Sequence, residues 1–146
     1  MQITFSVSNN VGISVLFRRS NKRMLIKYIV IKSNSLPSIS ETDEEYFEAE
    51  IRNILGYDYE TIYSEEVENG TIVYIGSKEK EPNQPNRAIH SWNDYNMIHG
   101  YIPNKIVIIY KKQNKSLTDN ELKTICNVFG DKSISYAKEL FCNLKS

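Results

Sequence analysis

The sequence predicts a single α+β domain over residues 1–146, with a mostly antiparallel sheet of about six strands. Short runs of apolar or alternating residues occur in pairs that turn residues join, which is typical of hairpins. Other segments carry apolar residues at helical spacing, and the last two close the chain as an αα-hairpin. The expected order is βββ-α-ββ-(α)-β-αα, with the helices packed mainly on one face of the sheet.

The N-terminal part is expected to supply three strands. Residues 3–7 and 11–17 alternate apolar with polar side chains, and the asparagine pair between them tolerates the positive φ of a tight turn. Met24–Ile31 is apolar on both faces, a pattern that indicates an interior strand covered on two sides. Pro37 and the serines beside it are expected to end this part of the sheet.

A helix is expected over residues 42–55. Thr42 and Glu45 have the spacing of a capping box, and the acidic residues around them suit the positive end of the helix dipole. Apolar residues between Phe47 and Leu55 form one stripe, and Gly56 supplies a stop signal. We therefore expect this helix to bury its apolar stripe and to expose its carboxylates.

A hairpin and a loop are expected next. Tyr59–Val67 and Thr71–Ile75 flank Asn69-Gly70, which is the strongest hairpin signal that a short stretch of sequence carries. Residues 76–88 are polar and contain two prolines. This composition predicts a surface loop.

The C-terminal part is expected to contain one strand and otherwise helices. A short helix capped by Ser91 precedes Ile106–Tyr110, whose two apolar faces indicate a second interior strand. Thr118 and Glu121 have capping-box spacing at the start of a longer helix. Ser133 is expected to cap the last helix, which pairs with its predecessor.

Cysteine placement and the lack of targeting signals favour a cytoplasmic protein. Cys126 and Cys142 fall on apolar faces of the last two expected helices, so we expect buried, reduced thiols. The chain starts without the basic and apolar runs of a signal peptide, and no apolar run is long enough to span a membrane. A membrane partner is therefore not expected.

Charge is segregated along the chain, although its 18 bases and 18 acids cancel. Residues 1–40 hold six bases and no acid, a net charge of +6. Residues 41–81 hold 13 acids and three bases, a net charge of −10, and residues 82–146 hold nine bases and five acids, a net charge of +4. Such blocks create a surface field that attracts partners of opposite charge.

The acidic block contains the predicted partner-binding residues. They lie on the solvent side of the helix at 42–55 and around the hairpin at 59–75: Glu44, Glu45, Glu48, Glu60, Glu65, Glu66 and Glu68. Because the helix and the hairpin are consecutive, we expect their carboxylates to converge on one surface. Complementary fields speed the association of proteins, so this surface predicts a basic protein partner.

Motifs for cofactor, metal or acyl-transfer chemistry are missing from the sequence. Its glycines are isolated, so no phosphate-binding loop is present. His90, Asp94 and His99 are potential metal ligands, but they match no metal-binding motif. We therefore predict no catalytic residue, no metal and no cofactor.

These observations favour a small protein-binding module over an enzyme. A cytosolic α+β domain with a strong acidic surface has the physical profile of an immunity or antitoxin protein, which blocks the basic cleft of a toxin nuclease. The sequence therefore predicts an inhibitor of this kind, of bacterial origin, whose partner is a cognate toxin domain.

One alternative is binding of nucleic acid by the basic N-terminal sheet. Four cations surround a turn after Phe17: Arg18, Arg19, Lys22 and Arg23. Cations over a sheet can follow phosphates, and Phe17 or Tyr28 can stack on bases. The acidic block would repel the same polyanion, so nucleic-acid binding ranks below protein binding.

A second alternative is a small metal-independent ribonuclease. His90 and His99 would act as general base and general acid, and Lys105 would stabilise the charge that develops on phosphorus. Nothing in their spacing along the chain brings these side chains together.

Overall fold

The computed structural model describes residues 2–6, 12–14, 24–79, 84–113 and 116–145, the first two ranges as backbone. The strands are β1 (Gln2–Ser6), β2 (Gly12–Ser14), β3 (Leu25–Lys32), β4 (Ser38–Asp43), β5 (Tyr59–Val67), β6 (Gly70–Ser77), β7 (Ala88–His90), β8 (Ile98–Tyr101) and β9 (Ile106–Lys111). The helices are α1 (Phe47–Leu55), α2 (Asp119–Val128) and α3 (Asp131–Lys145), and a 3-10 turn at Glu44–Tyr46 precedes α1.

A five-stranded antiparallel sheet with the order β4-β3-β9-β6-β5 forms the centre of the fold. The hairpins β3–β4 and β5–β6 are separated by β9, which pairs with β3 on one side and with β6 on the other. Two further antiparallel pairs, β1–β2 and β7–β8, form separate two-stranded sheets. The α+β class, the mainly antiparallel pairing and the two closing helices are confirmed.

Helices cover both faces of the five-stranded sheet. On one face Ile51 and Leu55 of α1 pack with Ile26 and Ile108. On the other face α2 packs with β3, β6 and β9, and the β7–β8 hairpin lies between the sheet and α3. Helices α2 and α3 therefore share a side as expected, whereas α1 takes the opposite side. The physical reason is that β3 and β9 are apolar on both faces, and both faces must be buried.

The start of the first helix differs from the prediction. Residues 38–43 form strand β4, in which Thr42 lies opposite Ile26, and α1 begins only at Phe47. The predicted capping box of Thr42 and Glu45 is therefore wrong, and Pro37 does not end the sheet. Six consecutive residue pairs with β3 supply inter-strand backbone hydrogen bonds, and these outweigh the local signal for a helix start.

The segment before β9 also differs from the prediction. Residues 76–77 belong to β6, Asn86 and Arg87 are buried, and Ala88–His90 pairs with β8, so the predicted surface loop over 76–88 is wrong at both of its ends. The short helix expected after Ser91 is replaced by the turn of this hairpin. Asn86 donates from Nδ2 to the carbonyl oxygens of Ile31 and Lys105 at 3.4 and 3.1 Å, which ties the segment to the sheet.

Two turn and cap signals are confirmed. The predicted hairpin joins β5 to β6, but its two turn residues are Glu68 and Asn69; Gly70 opens β6 opposite Val67 and has the positive φ of 136° that glycine tolerates. Thr118 caps α2: its Oγ1 accepts from the Glu121 N–H at 3.2 Å, and Glu121 Oε1 accepts from the Thr118 N–H at 2.9 Å.

The two cysteines differ in exposure. Cys126 is half-buried in α2, whereas Cys142 is exposed on α3, so the prediction that both thiols are buried is wrong for Cys142. The two are not joined by a disulfide.

Among the described residues, no helix combines the length and the apolar character needed to cross a bilayer.

Candidate functional site

A groove of about 340 Å³ lies between α1 and the strands beneath it. Its walls combine two carboxylates, three aromatic rings and one ammonium group: Glu44, Phe47, Glu48, Tyr59, Tyr110 and Lys112. The 3-10 turn and α1 contribute one wall, and β5 and the end of β9 contribute the other. We call this feature the α1 groove.

Packing on the sheet positions the aromatic rings of the α1 groove. Phe47 opens α1 and meets Tyr110 edge to face, with 5.1 Å between the ring centroids, and meets the buried Tyr28 at 5.5 Å. Burial, followed by the nearby Tyr59 and Glu48, raises the pKa of Tyr110. Its phenol therefore stays protonated at neutral pH and remains a hydrogen-bond donor.

The two carboxylates of the α1 groove come from successive turns of chain. The Glu44 N–H donates to the carbonyl oxygen of Met24 at 2.8 Å, which holds the 3-10 turn against β3. Glu48 lies one turn further, where its Oε2 is 3.0 Å from Nη2 of Arg52. Both members of this pair are largely exposed, so the contact is worth only about 0.3–0.5 kcal/mol and leaves Glu48 open to exchange with a partner.

The hairpin carboxylates do not all face the α1 groove. Glu66 lies opposite Thr71, on the sheet face that α1 covers, and its Oε2 accepts from Thr71 Oγ1 at 3.1 Å. Glu65 lies opposite Ile72 and therefore on the other face. Glu60 shares that second face by register, since it lies opposite Gly76, and Glu68 lies in the turn. Glu45, Glu60, Glu66 and Glu68 are exposed.

The Glu65 side chain makes hydrogen bonds within the protein. Its carboxylate accepts from the Trp92 N–H at 2.5 Å, from Ser91 Oγ at 3.1 Å and from the Tyr74 hydroxyl at 3.4 Å. Burial, and then Glu65, raise the pKa of Tyr74 well above its usual value. The Glu65 side chain therefore links β5 to the β7–β8 hairpin. The carboxylates that were expected on one surface thus lie on both faces of the sheet.

The two histidines occupy different surroundings. His90 is buried, and its Nδ1 is 2.7 Å from the Tyr95 carbonyl oxygen, which can only accept, so Nδ1 carries the proton. Burial is the main cause that lowers the pKa of His90. His99 is exposed and stacks on Tyr63, and it is absent from the wall of the cavity of about 190 Å³ that His90 lines. Lys105 is also exposed, and the proximity of His99 is a further, smaller cause that lowers the pKa of His90.

The residues of the metal and nucleic-acid hypotheses lie only partly within the described ranges. Within the described ranges, no three His, Cys, Asp or Glu side chains are placed to hold a metal ion. Phe17 and the four cations of the basic turn lie outside the described residues. Tyr28 is buried against Phe47, so it cannot stack on a base in this fold.

Sequence reasoning missed two buried cations. Lys111 is fully buried and pairs with Glu121. Arg87 donates from Nε to the Phe129 carbonyl oxygen at 3.1 Å, at the end of α2. The period of two in β9 was a usable signal for Lys111, because it places this residue on the same face as the buried Val107 and Ile109.

Comparison with known proteins gives no relative for this chain: no protein-family model, no curated protein and no solved structure matches it.

Proposed function

We propose that this protein is a binding module that captures a basic protein through the surface around α1, and that the partner is a toxin nuclease domain which it inhibits. The single observation that carries the proposal is the α1 groove, where Glu44 and Glu48 lie beside Phe47, Tyr59 and Tyr110. The residues taken to bind the partner are those placed on or next to this groove, which we call the α1 surface: Glu44, Glu45, Glu48 and Glu66.

The charge of the surrounding chain supports this choice of partner. Residues 41–79, which include the end of β4 and all of α1, β5 and β6, contain 12 acids and two bases, which leaves a net charge of −10. A field of this sign raises the rate at which a cationic protein is captured. A nuclease domain presents such a cationic surface, because its substrate is a polyanion.

Exposed tyrosines supply the second property of a protein-binding surface. Tyr46, which ends the 3-10 turn, is 55% exposed, and Tyr57, just after α1, is 81% exposed. Tyrosine is enriched at interfaces because it buries a large apolar area and still offers a hydroxyl group. The two ends of α1 thus carry aromatic anchors beside the acidic side chains.

The test first asks whether a gene next to that of this chain encodes a nuclease domain with a basic surface, and then mixes that purified domain with this protein. We expect the purified domain to bind this protein and to lose its nuclease activity in the complex. The double substitution Glu45→Lys with Glu66→Lys should slow association about tenfold or more at low salt, with a smaller effect at high salt. Stopped-flow mixing at several salt concentrations measures this rate.

The matched control is Asp94→Lys with Glu139→Lys, which makes the same change of net charge at exposed acids on other elements. It should slow association much less. Equal slowing by both double variants would mean that net charge alone acts and would remove the α1 surface from the mechanism. Binding without loss of nuclease activity would refute inhibition, and absence of binding would refute the proposed partner.

A further inference from the structure

The α1 groove has the chemistry of a receptor for one planar cation. We propose that it holds a single arginine side chain of the basic protein partner, so this inference rests on the function proposed above. Aromatic walls and carboxylates at the same opening are the two groups that a guanidinium binds most favourably. A volume of about 340 Å³ suits one side chain rather than a longer segment of chain.

The aromatic walls provide stacking surfaces. Phe47 and Tyr110 meet at an angle of 67°, and Tyr59 of β5 is a third ring in the lining of the groove. All three are partly buried, so they are held in place by the core and still line an open space. A guanidinium is weakly hydrated and stacks on aromatic faces, whereas an ammonium keeps its water more strongly.

The carboxylates provide the charge. Glu48 already binds a guanidinium in this structure, since its Oε2 is 3.0 Å from Nη2 of Arg52. That pair is exposed, so its partners exchange at little cost. An arginine of the partner that enters beside Glu44 and Glu48 would compete for the Glu48 carboxylate with Arg52, whose guanidinium lies 5.3 Å from the centroid of the Tyr57 ring.

Lys112 allows a test of whether the group bound in the α1 groove is a cation or an anion. It lies on the wall of the α1 groove and is exposed, so its ammonium group repels a cationic guest and attracts an anionic one. Substitution Lys112→Gln should therefore tighten binding of a cation. The same substitution would weaken binding of an anion.

The experiment titrates the protein with N-acetyl-arginine amide and follows backbone amide signals by NMR. We expect saturable shifts confined to residues that line the α1 groove. N-acetyl-citrulline amide has the same shape without the charge and should bind about tenfold or more weakly, since a charged hydrogen bond contributes about 1.5–3 kcal/mol. N-acetyl-lysine amide should bind about threefold more weakly because it does not stack.

Three variants locate the interaction. Lys112→Gln should tighten binding of the arginine probe about threefold at low salt, and Glu48→Gln should weaken it by a similar factor. Tyr59→Leu should also weaken it, because it removes one ring without a change of charge. The matched control is Tyr95→Leu, which removes an exposed ring on a different part of the fold and should have no effect.

The inference is overturned by any of four results: no saturable shift, shifts elsewhere on the molecule, equal binding of citrulline or lysine probes, or weaker binding in Lys112→Gln. Its failure is separable from failure of the proposed function. If the arginine probe does not bind but the Glu45 and Glu66 substitutions still slow association, the groove is refuted and the protein-binding function stands. If the probe binds and the toxin domain does not, the function is refuted and the groove stands.

Discussion

Lys111 and Glu121 form a buried ion pair between β9 and α2, with 2.7 Å between Nζ and Oε2. The other carboxylate oxygen of Glu121 accepts the Thr118 N–H of the capping box, so one side chain both starts α2 and fixes it to the sheet. Burial alone would raise the pKa of Glu121, but the hydrogen bonds from Lys111 and Thr118 outweigh it and hold the pKa below 4.5.

Removal of one member of this pair should destabilise the protein strongly. Lys111→Met leaves a buried carboxylate without its cation, which costs about 3–5 kcal/mol of unfolding free energy in comparable pairs. Lys111→Met with Glu121→Gln should recover most of this loss, because glutamine is neutral and still accepts from Thr118. Urea denaturation measures both, and a double variant no more stable than the single one would contradict this account.

Two groups make stability depend on pH below neutrality. Burial is the first cause that lowers the pKa of His90 from 6.5, so between the folded and unfolded pKa values the unfolded chain binds more protons. Stability should therefore be complete above pH 6.5 and fall as the pH drops towards the folded pKa of His90. Below pH 4.5, protonation of Glu121 should remove a further contribution.

Thermal unfolding at a series of pH values measures this dependence. His90→Gln should flatten the upper part of the profile and leave the lower part unchanged, whereas Glu121→Gln should do the reverse. A wild-type profile that is flat just below pH 6.5 would mean that His90 has the same pKa in both states.

Glu65 and Glu66 are neighbours in β5, yet they should respond differently to substitution. Glu65→Ala leaves the Trp92 N–H and the Ser91 hydroxyl without their acceptor, so we expect a loss of about 1–3 kcal/mol. Glu66→Ala removes one exposed contact with Thr71 and should cost less than about 0.5 kcal/mol. Fluorescence of Trp92, the only tryptophan, should change in the first variant alone. Equal costs would remove Glu65 from its anchoring role.

Gly76 permits close packing within the sheet. A Cβ at this position would lie 2.6 Å from Ile62 Cδ1 and 2.7 Å from Asn104 Nδ2. Gly76→Ala should therefore destabilise the protein by about 1–3 kcal/mol through overpacking. Adding Ile62→Val removes the clashing methyl group and should recover part of the loss, as denaturant unfolding would show. A neutral Gly76→Ala would mean that the neighbours move aside freely.

Much of the fold was predictable because its signals are local. The Asn69-Gly70 signal for the β5–β6 hairpin spans only two residues, and the capping box of Thr118 and Glu121 spans four. Continuous apolar runs identified Met24–Ile31 and Ile106–Tyr110 as interior strands for the same reason. The candidate site was predicted less well, because α1 and β5 each have two sides and only one side of each faces the α1 groove.

Thr42 illustrates why the remainder could not be predicted. Its local pattern favours a helix start, and the pairing of residues 38–43 with β3 overrides that pattern. The opposite fates of Glu65 and Glu66 likewise follow from their register against β6 and from the position of the β7–β8 hairpin. Neither depends on residue type alone.

Composition and short-range periodicity were sufficient to specify the class of the fold, most of its helices and strands, and the concentration of negative charge in residues 41–79. Contacts between distant segments decided the placement of β9 between two hairpins, the burial of Lys111 and the shape of the α1 groove. The physical reason is that turns and caps are stabilised by neighbours in the chain, whereas a groove exists only where elements far apart in sequence pack together.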